Sequence, residues 1–452
     1  MGLFYLNRDR SSKSSPALWL PTIWLSVGAS RAVSLWFGSS DPSQTSDQYL
    51  EGSPFDRIFL TVIVVLSVAV LVGRSRKVAA ILRANLPFLL FLGYCALSIA
   101  WSDYPDVAFK RWVKSLGDFS MVLIVLTEEH PVVAVRRWLS RVGFVLVPMS
   151  VLLIKYYPAL GRGYNRFSYM QFYQGVSTDK NGLGLLCLIC GIGSVWQIIQ
   201  LLNEPRGRRE KRALAAQGIL VAILCWLLWI SNSMTSMSCF LMASTLMICI
   251  RFRAFIRKRF AIHLAFGALL GLSLMALFLN MGSGLVQDLG RDPSLTGRTD
   301  IWKVVLSMPI NPVLGTGFES FWLGPRLDKI WSMYWWKPNE AHNGYIEVYL
   351  DLGWIGLTLL AFLFATGYPA IISAVRRSKD EGGLRLALFF TAIVYNCTES
   401  AVRIMHPAWI CLLLALVTVP GGWIKGENGR VTKATAQRRS RESLIGEEVP
   451  VS

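Results

Sequence analysis

Long hydrophobic runs are the sequence feature that most constrains how this chain can fold. A run able to cross a hydrocarbon layer of ~30 Å must satisfy its backbone hydrogen bonds internally, which favours helices. We find about twelve such runs, at residues 17–38, 56–73, 85–101, 111–127, 138–155, 181–201, 213–230, 234–250, 262–280, 345–374, 384–398 and 407–424. The sequence therefore predicts an all-α integral membrane protein with about 12 transmembrane helices.

The composition agrees with a membrane protein and leaves no room for a separate soluble domain. Hydrophobic residues make up 53% of the 452-residue chain and charged residues 16%, whereas soluble domains carry about 25% charged residues. We divide the chain into a polytopic membrane domain, residues 1–424, and a tail, residues 425–452. The tail is polar and basic, which predicts a disordered cytoplasmic segment.

The net charge of +18 could suggest a nucleic-acid partner, but the distribution of the basic residues argues against one. About two thirds of the Lys and Arg residues fall in every second loop or in the tail. This alternation is typical of loops that stay in the cytoplasm. The pattern predicts a membrane protein with both termini in the cytoplasm.

The longest polar segment, residues 281–343, is expected to be an outward-facing loop that contains short helices. It is far longer than a simple connection requires. Within it, "RTDIWKVVLSM" has apolar residues at helical spacing, Thr296 or Asp300 could cap that helix, and Pro309 and Pro312 end it. The tryptophans of "WSMYWWKPNEAHNG" fit either an interfacial aromatic belt or a surface on which sugar rings stack.

A histidine and two carboxylates mark the passage from this loop back to the membrane. Treated as one helix, residues 342–356 place His342 on one face and three polar residues on the neighbouring face: Asn343, Glu347 and Asp351. Ionised carboxylates at membrane depth are costly unless they are paired or hydrated. That face should therefore contact protein or a wet cavity, either as a structural network or as part of a site.

Two further pairs of opposite charge are four residues apart. Lys114 and Asp118 lie inside the fourth run, and Glu399 and Arg403 lie at the outer end of the eleventh. Residues at this spacing are neighbours on a helix. The sequence therefore predicts two ion pairs within helices.

Three motifs resemble the signature of the bacterial O-antigen ligase and polysaccharide polymerase superfamily. They are "TGRTDIW", "NPVLGTGFESFW" and "AHNGYIEVYLDLGWIGL", found in that order between residues 296 and 357. "GVSTDKNGLG" at 175–184 is similar to another segment of the family, and "LPTIWLSVGASRAVSLW" at 20–36 resembles the exopolysaccharide-production branch.

The resemblance implies a membrane glycosyltransferase whose donor is a glycan on undecaprenyl pyrophosphate. Carried over, His342 would be the general base that activates the acceptor hydroxyl, and Arg298 would bind the pyrophosphate. Because pyrophosphate is a good leaving group, neither a metal nor a cofactor is expected, and the anomeric centre would invert. The acceptor would be a growing glycan or lipid A, and polysaccharide export proteins are candidate partners.

One position departs from the family pattern. Ligase-type members carry a phosphate-binding arginine after a Ser-x-Ser, where this chain has Met234 in "SNSMTSM". Either Lys180, Arg166 or Lys114 supplies the missing charge, or the donor is bound in a different position. We also predict that Asn343 and Glu347 help to bind the substrate. With the exopolysaccharide-like segments, this departure favours a polymerase over a lipid A ligase.

Two other classes of function remain open. Twelve spans also suit a transporter or a flippase for lipid-linked sugars, although we find no internal repeat of the kind that transporters usually carry. A non-catalytic subunit of a polysaccharide export complex is the third reading.

Overall fold

The computed structural model describes residues 2–7, 14–38, 52–164, 170–204, 207–252, 259–278 and 298–423. The helices of these ranges are α1 (Gly2–Leu6), α2 (Trp19–Gly28), α3 (Val33–Trp36), α4 (Pro54–Val72), α5 (Ser75–Ala84), α6 (Leu86–Leu97), α7 (Pro105–Leu126), α8 (Pro131–Tyr156), α9 (Pro158–Gly161), α10 (Lys180–Asn203), α11 (Arg208–Ser231), α12 (Met234–Cys249), α13 (Arg259–Phe278), α14 (Arg298–Leu306), α15 (Gly324–Met333), α16 (Gly344–Arg377), α17 (Lys379–Tyr395) and α18 (Pro407–Leu416). Short 3-10 helices cover Pro16–Leu18 and Ser98–Trp101. Strands occur in the described ranges only as the antiparallel pair β1 (Arg162–Tyr164) and β2 (Gln171–Tyr173).

Five of the described helices are long and apolar enough to cross a membrane: α4, α8, α10, α11 and α16. A sixth span results if α5 is taken together with Leu86–Trp101, although the two pieces are bent by 90°. Many residues of α4 and α11 are exposed although apolar, as expected for helices that face lipid. The protein is thus an all-α membrane protein, and five or six of the twelve predicted runs meet the length and apolarity of a full span.

Two predicted runs differ from the observed helices. The run 17–38 is divided, because α2 ends at Gly28 and α3 begins only at Val33. The run 407–424 is shorter than predicted, because α18 ends at Leu416 and is followed by an extended stretch and a turn. The predicted tail, residues 425–452, lies outside the described residues, as do residues 281–297 of the long loop.

The rest of the long loop has a small apolar core of its own. Ile301 and Val305 of α14 pack with Phe321, with Leu327 of α15 and with Leu350 at the start of α16. Each of these side chains is buried, and the cluster is separate from the large core formed by the membrane helices. We call residues 298–343 the cap, because this second core holds them as a packed unit on one end of the bundle.

A break in α16 anchors the cap. Gly353 has φ +63°, so the helical hydrogen-bond pattern fails around it. The segment "NPVLGTG" satisfies the groups that are released: Thr316 N donates to Leu350 O (3.0 Å), and Trp354 N donates to Pro312 O (2.9 Å). A Cβ at residue 353 would lie 2.3 Å from the carbonyl oxygen of Val313, so only glycine fits there.

The predicted ion pair within α7 is wrong. Asp118 is fully buried and accepts hydrogen bonds from Trp24 Nε1 (2.7 Å) and from the backbone N of Met405 (2.9 Å). Its oxygens are used by donors from distant segments, so Lys114 does not pair with it. Asp118 therefore connects α2 to the segment before α18.

Candidate functional site

A polar cleft lies beside the cap, with about 960 Å³ of empty volume open to solvent. Four segments form its walls: the end of α2, residues 177–185, the end of the cap, and residues 395–407. The side chains used below are Asp179, Asn181, Glu340, His342, Tyr395, Glu399, Arg403 and His406. Because the four segments are far apart in sequence, the cleft exists only once the helices have packed.

Arg298 is the first residue of α14, and a tryptophan one turn later fixes its place. Trp302 Nε1 donates to the carbonyl oxygen of Ala341 at 2.7 Å. Residues i and i+4 share a face of a helix. The bond from Trp302 therefore also brings the Arg298 guanidinium close to the segment that carries His342.

His342 is held between two pinned neighbours. Ala341 N donates to the carboxylate of Glu347, and Gly344 N donates to Asn396 O at 2.9 Å. His342 itself has φ +52°, a left-handed conformation that costs a non-glycine residue about 1 kcal/mol. The fixed neighbours impose this conformation.

A single carboxylate joins the two predicted catalytic residues. Glu399 Oε1 lies 2.9 Å from Arg298 Nη2, and Glu399 Oε2 lies 3.4 Å from His342 Nδ1. Asn181 Nδ2 also donates to Glu399 Oε1 at 3.1 Å. Arg298 donates further to the carbonyl oxygen of Thr398. The structure thus brings Arg298 and His342 together on Glu399, which is 10% exposed.

A second carboxylate repeats this arrangement on the other side of the histidine. Glu340 Oε1 lies 2.8 Å from His342 Nδ1, and Glu340 Oε2 lies 3.0 Å from Arg403 Nη1. The five residues therefore form a chain in the order Arg298, Glu399, His342, Glu340, Arg403. We call it the five-residue network.

The charges of this network govern the protonation of His342. Burial by itself lowers the pKa of the imidazole, but the nearby carboxylates of Glu340 and Glu399 outweigh burial and raise the pKa to about 10. Burial by itself raises the pKa of the Glu340 carboxyl, but His342 and Arg403 outweigh burial and lower that pKa to about 2. His342 Nδ1 is close to both carboxylates without the alignment of a hydrogen bond to either, so these contacts are ionic. Nε2 is the ring atom left to act on a ligand.

A second histidine, His406, lines the same cleft, but its pKa is lowered rather than raised. Burial lowers the pKa of His406 to about 4, and its Nδ1 atom is buried without a hydrogen-bond partner. His406 caps the start of α18 and lies against the ring of Tyr395. The cleft therefore contains one histidine that is charged at neutral pH and one that is neutral.

The donor atoms of Glu340, His342 and Glu399 lie within 4.8 Å of one another, close enough to hold a metal ion. Carboxylate oxygen and imidazole nitrogen are both ordinary metal ligands. Both carboxylates, however, already contact an arginine. A cation would lie close to the positive charges of Arg298 and Arg403, so the charges of the network fit an anionic ligand better.

Glu347 and Asn343 hold the backbone around His342. Glu347 is buried, accepts from Ala341 N and Trp322 Nε1 (2.7 Å), and lies 3.2 Å from Ser400 Oγ. Asn343 caps α16, because its Oδ1 accepts from the N atoms of residues 345 and 346. The prediction of one helix over 342–356 is wrong: α16 begins at Gly344, and Asn343 lies outside it. Both side chains therefore contact the protein backbone around His342, and substrate binding by Glu347 and Asn343 stays a prediction.

Of the other predicted substrate-binding residues, the structure describes Lys180 and Lys114. Lys180 begins α10, and its neighbours Asp179 and Asn181 line the cleft where Lys180 itself does not. Lys114 lies on α7, where its charged neighbours include Arg111 and Glu319. Arg166 is outside the described residues, as is Thr296.

The sequence analysis missed Glu340 as a site residue and paired Glu399 with Arg403. That pairing is wrong, because α17 ends at Tyr395 and residues 399 and 403 are not on a helix. Each instead contacts the cap, Glu399 through Arg298 and Arg403 through Glu340. The sequence did contain a signal for these contacts, because ionisable residues lie both at the end of the long loop and at the outer end of the eleventh hydrophobic run.

Comparison with known proteins bears directly on this site. Residues 207–361 match the family model described as O-antigen ligase. The match includes Arg298 and His342, while Glu399 and Arg403 lie beyond it. The chain is also 23% identical over 325 residues to the exopolysaccharide production protein ExoQ of Rhizobium meliloti (strain 1021), an alignment that covers 70% of this chain and 71% of that protein.

These two matches confirm the recognition made from the motifs. The family model covers the helices α11 to α13, the cap and the first half of α16. The similarity to ExoQ extends over most of both chains. Residues 207–361 of this membrane protein are therefore similar to the O-antigen ligase family, and the chain as a whole is similar to an exopolysaccharide production protein.

Proposed function

We propose that this protein is a membrane glycosyltransferase that joins glycan repeat units carried on undecaprenyl pyrophosphate. The observation that supports this most is the convergence of Arg298 and His342 on Glu399 in the wall of a polar cleft. A cation for the leaving phosphate and a base for the acceptor hydroxyl are the two groups that the reaction requires.

The proposed reaction is a single displacement at the anomeric carbon of the donor. His342 Nε2 accepts the proton of the acceptor hydroxyl, and the acceptor oxygen forms a bond to the anomeric carbon. The bond from that carbon to the phosphate oxygen breaks, and its electron pair leaves with the lipid pyrophosphate, which Arg298 stabilises. Attack from the side opposite to the leaving group inverts the anomeric centre. No metal is needed for this scheme.

The carboxylates of Glu340 and Glu399 affect His342 as a base in two opposite ways. They stabilise the imidazolium that forms when the hydroxyl proton is taken, as the carboxylate of a catalytic triad does. The same charges keep His342 protonated before the reaction at neutral pH, since its pKa is raised to about 10. We therefore propose that the rate of transfer rises with pH from neutral to alkaline.

The proposal includes the arrangement in the membrane. Twelve spans, cytoplasmic termini and a periplasmic cap would place the cleft where lipid-linked glycans are polymerised in bacteria. Labelling of single cysteines placed at exposed positions, such as Asp300 in the cap, with an impermeant reagent on intact and opened cells tests this arrangement. Labelling of Asp300→Cys only after the cytoplasmic membrane is opened would refute a periplasmic cap.

The catalytic assignment is tested with His342→Ala and Arg298→Ala strains. Both should lose long-chain polysaccharide at normal protein levels, whereas the exposed residue His130 changed to Ala should not. Full-length polymer from either strain would refute the assignment. If His406→Gln abolishes synthesis while His342→Gln does not, the base is His406.

Product analysis separates a polymerase from a ligase. A deletion strain should accumulate single repeat units on the lipid carrier if this protein is a polymerase, as the similarity to ExoQ favours. A ligase deletion would instead leave full polymer on the carrier and bare lipid A. Movement of a lipid-linked sugar across vesicles by purified protein, without lengthening, would support the flippase alternative.

A further inference from the structure

Arg403, like Glu399, lies outside both the motifs and the matched family segment. It follows α17 by eight residues and lies in an irregular stretch before α18. Its Nη1 atom is 3.0 Å from Glu340 Oε2, and its side chain remains 34% exposed. It therefore has a counter-ion and still presents part of its guanidinium to the cleft.

The two arginines are related through the histidine in the same way. Glu399 uses one oxygen for Arg298 and the other for His342, and Glu340 uses one oxygen for Arg403 and the other for His342. Each guanidinium is thus held beside the imidazole by an intervening carboxylate. A phosphate group could replace that carboxylate with little net loss, because arginine forms bidentate contacts with either group.

The position of Arg403 also fits a ligand that is polar at one end and apolar at the other. Arg403 lines the polar cleft and also a second, narrow pocket. Most of the lining of that pocket is apolar and includes Phe88, Phe91, Val348 and Trp409, although the carboxylates of Glu319, Glu347 and Asp351 also line it. Arg403 therefore lies between the polar cleft and a mainly apolar pocket.

We propose that Arg403 is the second guanidinium that binds the pyrophosphate of the lipid-linked donor, and that Glu340 holds it in place until the donor arrives. This inference rests on the proposed function. A pyrophosphate esterified at both ends carries two negative charges, one on each phosphate, and Arg298 and Arg403 supply two positive charges on either side of His342. Arg403 then provides the charge that is missing at Met234, in place of Lys180, Arg166 or Lys114.

Binding of two lipids to the full-length protein in detergent micelles tests this inference. The probes are undecaprenyl pyrophosphate and undecaprenyl monophosphate, and the readout is the dissociation constant of each. Loss of one hydrogen-bonded charge contact typically weakens binding about 10- to 100-fold. Arg403→Ala should lose this factor for the pyrophosphate and much less for the monophosphate. Arg403→Lys should recover part of it, because lysine keeps the charge and lacks the fork.

Arg326→Ala is the matched control. Arg326 lies in the cap, and like Arg403 it has a carboxylate partner, which is Asp103. It should bind both lipids as the wild type does. Glu340→Gln gives a second readout, because it leaves the Arg403 side chain unchanged and weakens only its contact with residue 340. A weaker tether should leave pyrophosphate binding unchanged or several-fold tighter, whereas a merely structural role for the pair would make binding weaker.

The outcomes separate this inference from the proposed function. If Arg298→Ala loses pyrophosphate binding while Arg403→Ala and Arg403→Lys bind like the wild type, Arg403 has no part in binding and the proposed function stands. If the wild type binds neither lipid, the proposed function fails. If Arg403→Ala does not fold, Arg403→Lys and Glu340→Gln decide, and weaker pyrophosphate binding by Glu340→Gln would overturn the inference.

Discussion

Replacing Glu399 by glutamine tests the electrostatics of the site most directly. Glu399 is one of the two carboxylates that raise the pKa of His342 to about 10. An opposite charge at this range typically moves a pKa by about 1–3 pH units. The pKa of His342 should therefore fall by about 1–3 pH units in Glu399→Gln, which corresponds to about 1.4–4 kcal/mol of interaction between the two groups.

The titration can be followed by NMR of protein labelled at histidine, because the chain has only 4 histidines. A His342→Gln sample identifies the signal. Asp300→Asn serves as the control, since Asp300 is a carboxylate on the same helix as Arg298 that is 65% exposed and pairs with Lys303. If His342 titrates near 6.5 in the wild type and does not respond to Glu399→Gln, the five-residue network is wrong.

The same shift fixes the sign of the stability change. A raised pKa in the folded state stabilises the protein below the unfolded value of 6.5, and this contribution is lost as the pH rises through about 10. The lowered pKa of Glu340 contributes stability above 4.5 that is lost as the pH falls through about 2. Thermal unfolding in detergent should therefore show that Glu399→Gln is most destabilising from about pH 5 to 7 and less destabilising above pH 10, where the loss of the contact with Arg298 remains.

Three further changes test the supports of the site. Gly353→Ala should destabilise the protein and detach the cap, because its Cβ would lie 2.3 Å from Val313 O; Gly218→Ala, which meets nothing within 4 Å, should be neutral or stabilising in the same thermal assay. Asn343→Ala removes the side-chain hydrogen bonds at the N-terminus of α16 and should cost about 1 kcal/mol. Asn343→Asp should retain most of the stability, and equal melting temperatures for the two variants would contradict this role of Asn343. Glu347→Ala should cost about 2–4 kcal/mol, because it leaves a buried backbone N–H and an indole N–H without an acceptor. A normal melting temperature and normal polymer from Glu347→Ala would show that this network is dispensable.

The sequence alone determined the helical membrane fold and two residues of the site. Hydrophobic runs are a local property, since lipid allows few alternatives to a helix, and the twelve runs all overlap described helices. The motifs around Arg298 and His342 predicted the similarity to the O-antigen ligase family, because their order along the chain is itself the signal. Predictions that assumed regular helices were less successful. Residues 342–356 were predicted to be one helix, but α16 begins at Gly344 and is broken at Gly353. Residues 399 and 403 were predicted to share a helix, and neither is on one.

Only the tertiary structure decided which charged groups meet. Arg298 and Glu399 are 101 residues apart, and Glu340 and Arg403 are 63 apart. No local pattern predicts such pairs, because they depend on how α14 packs against Ala341 and on where α17 ends. The consequence is chemical: the histidine that the sequence marked as a base is flanked by two carboxylates, and packing rather than residue type sets its protonation state.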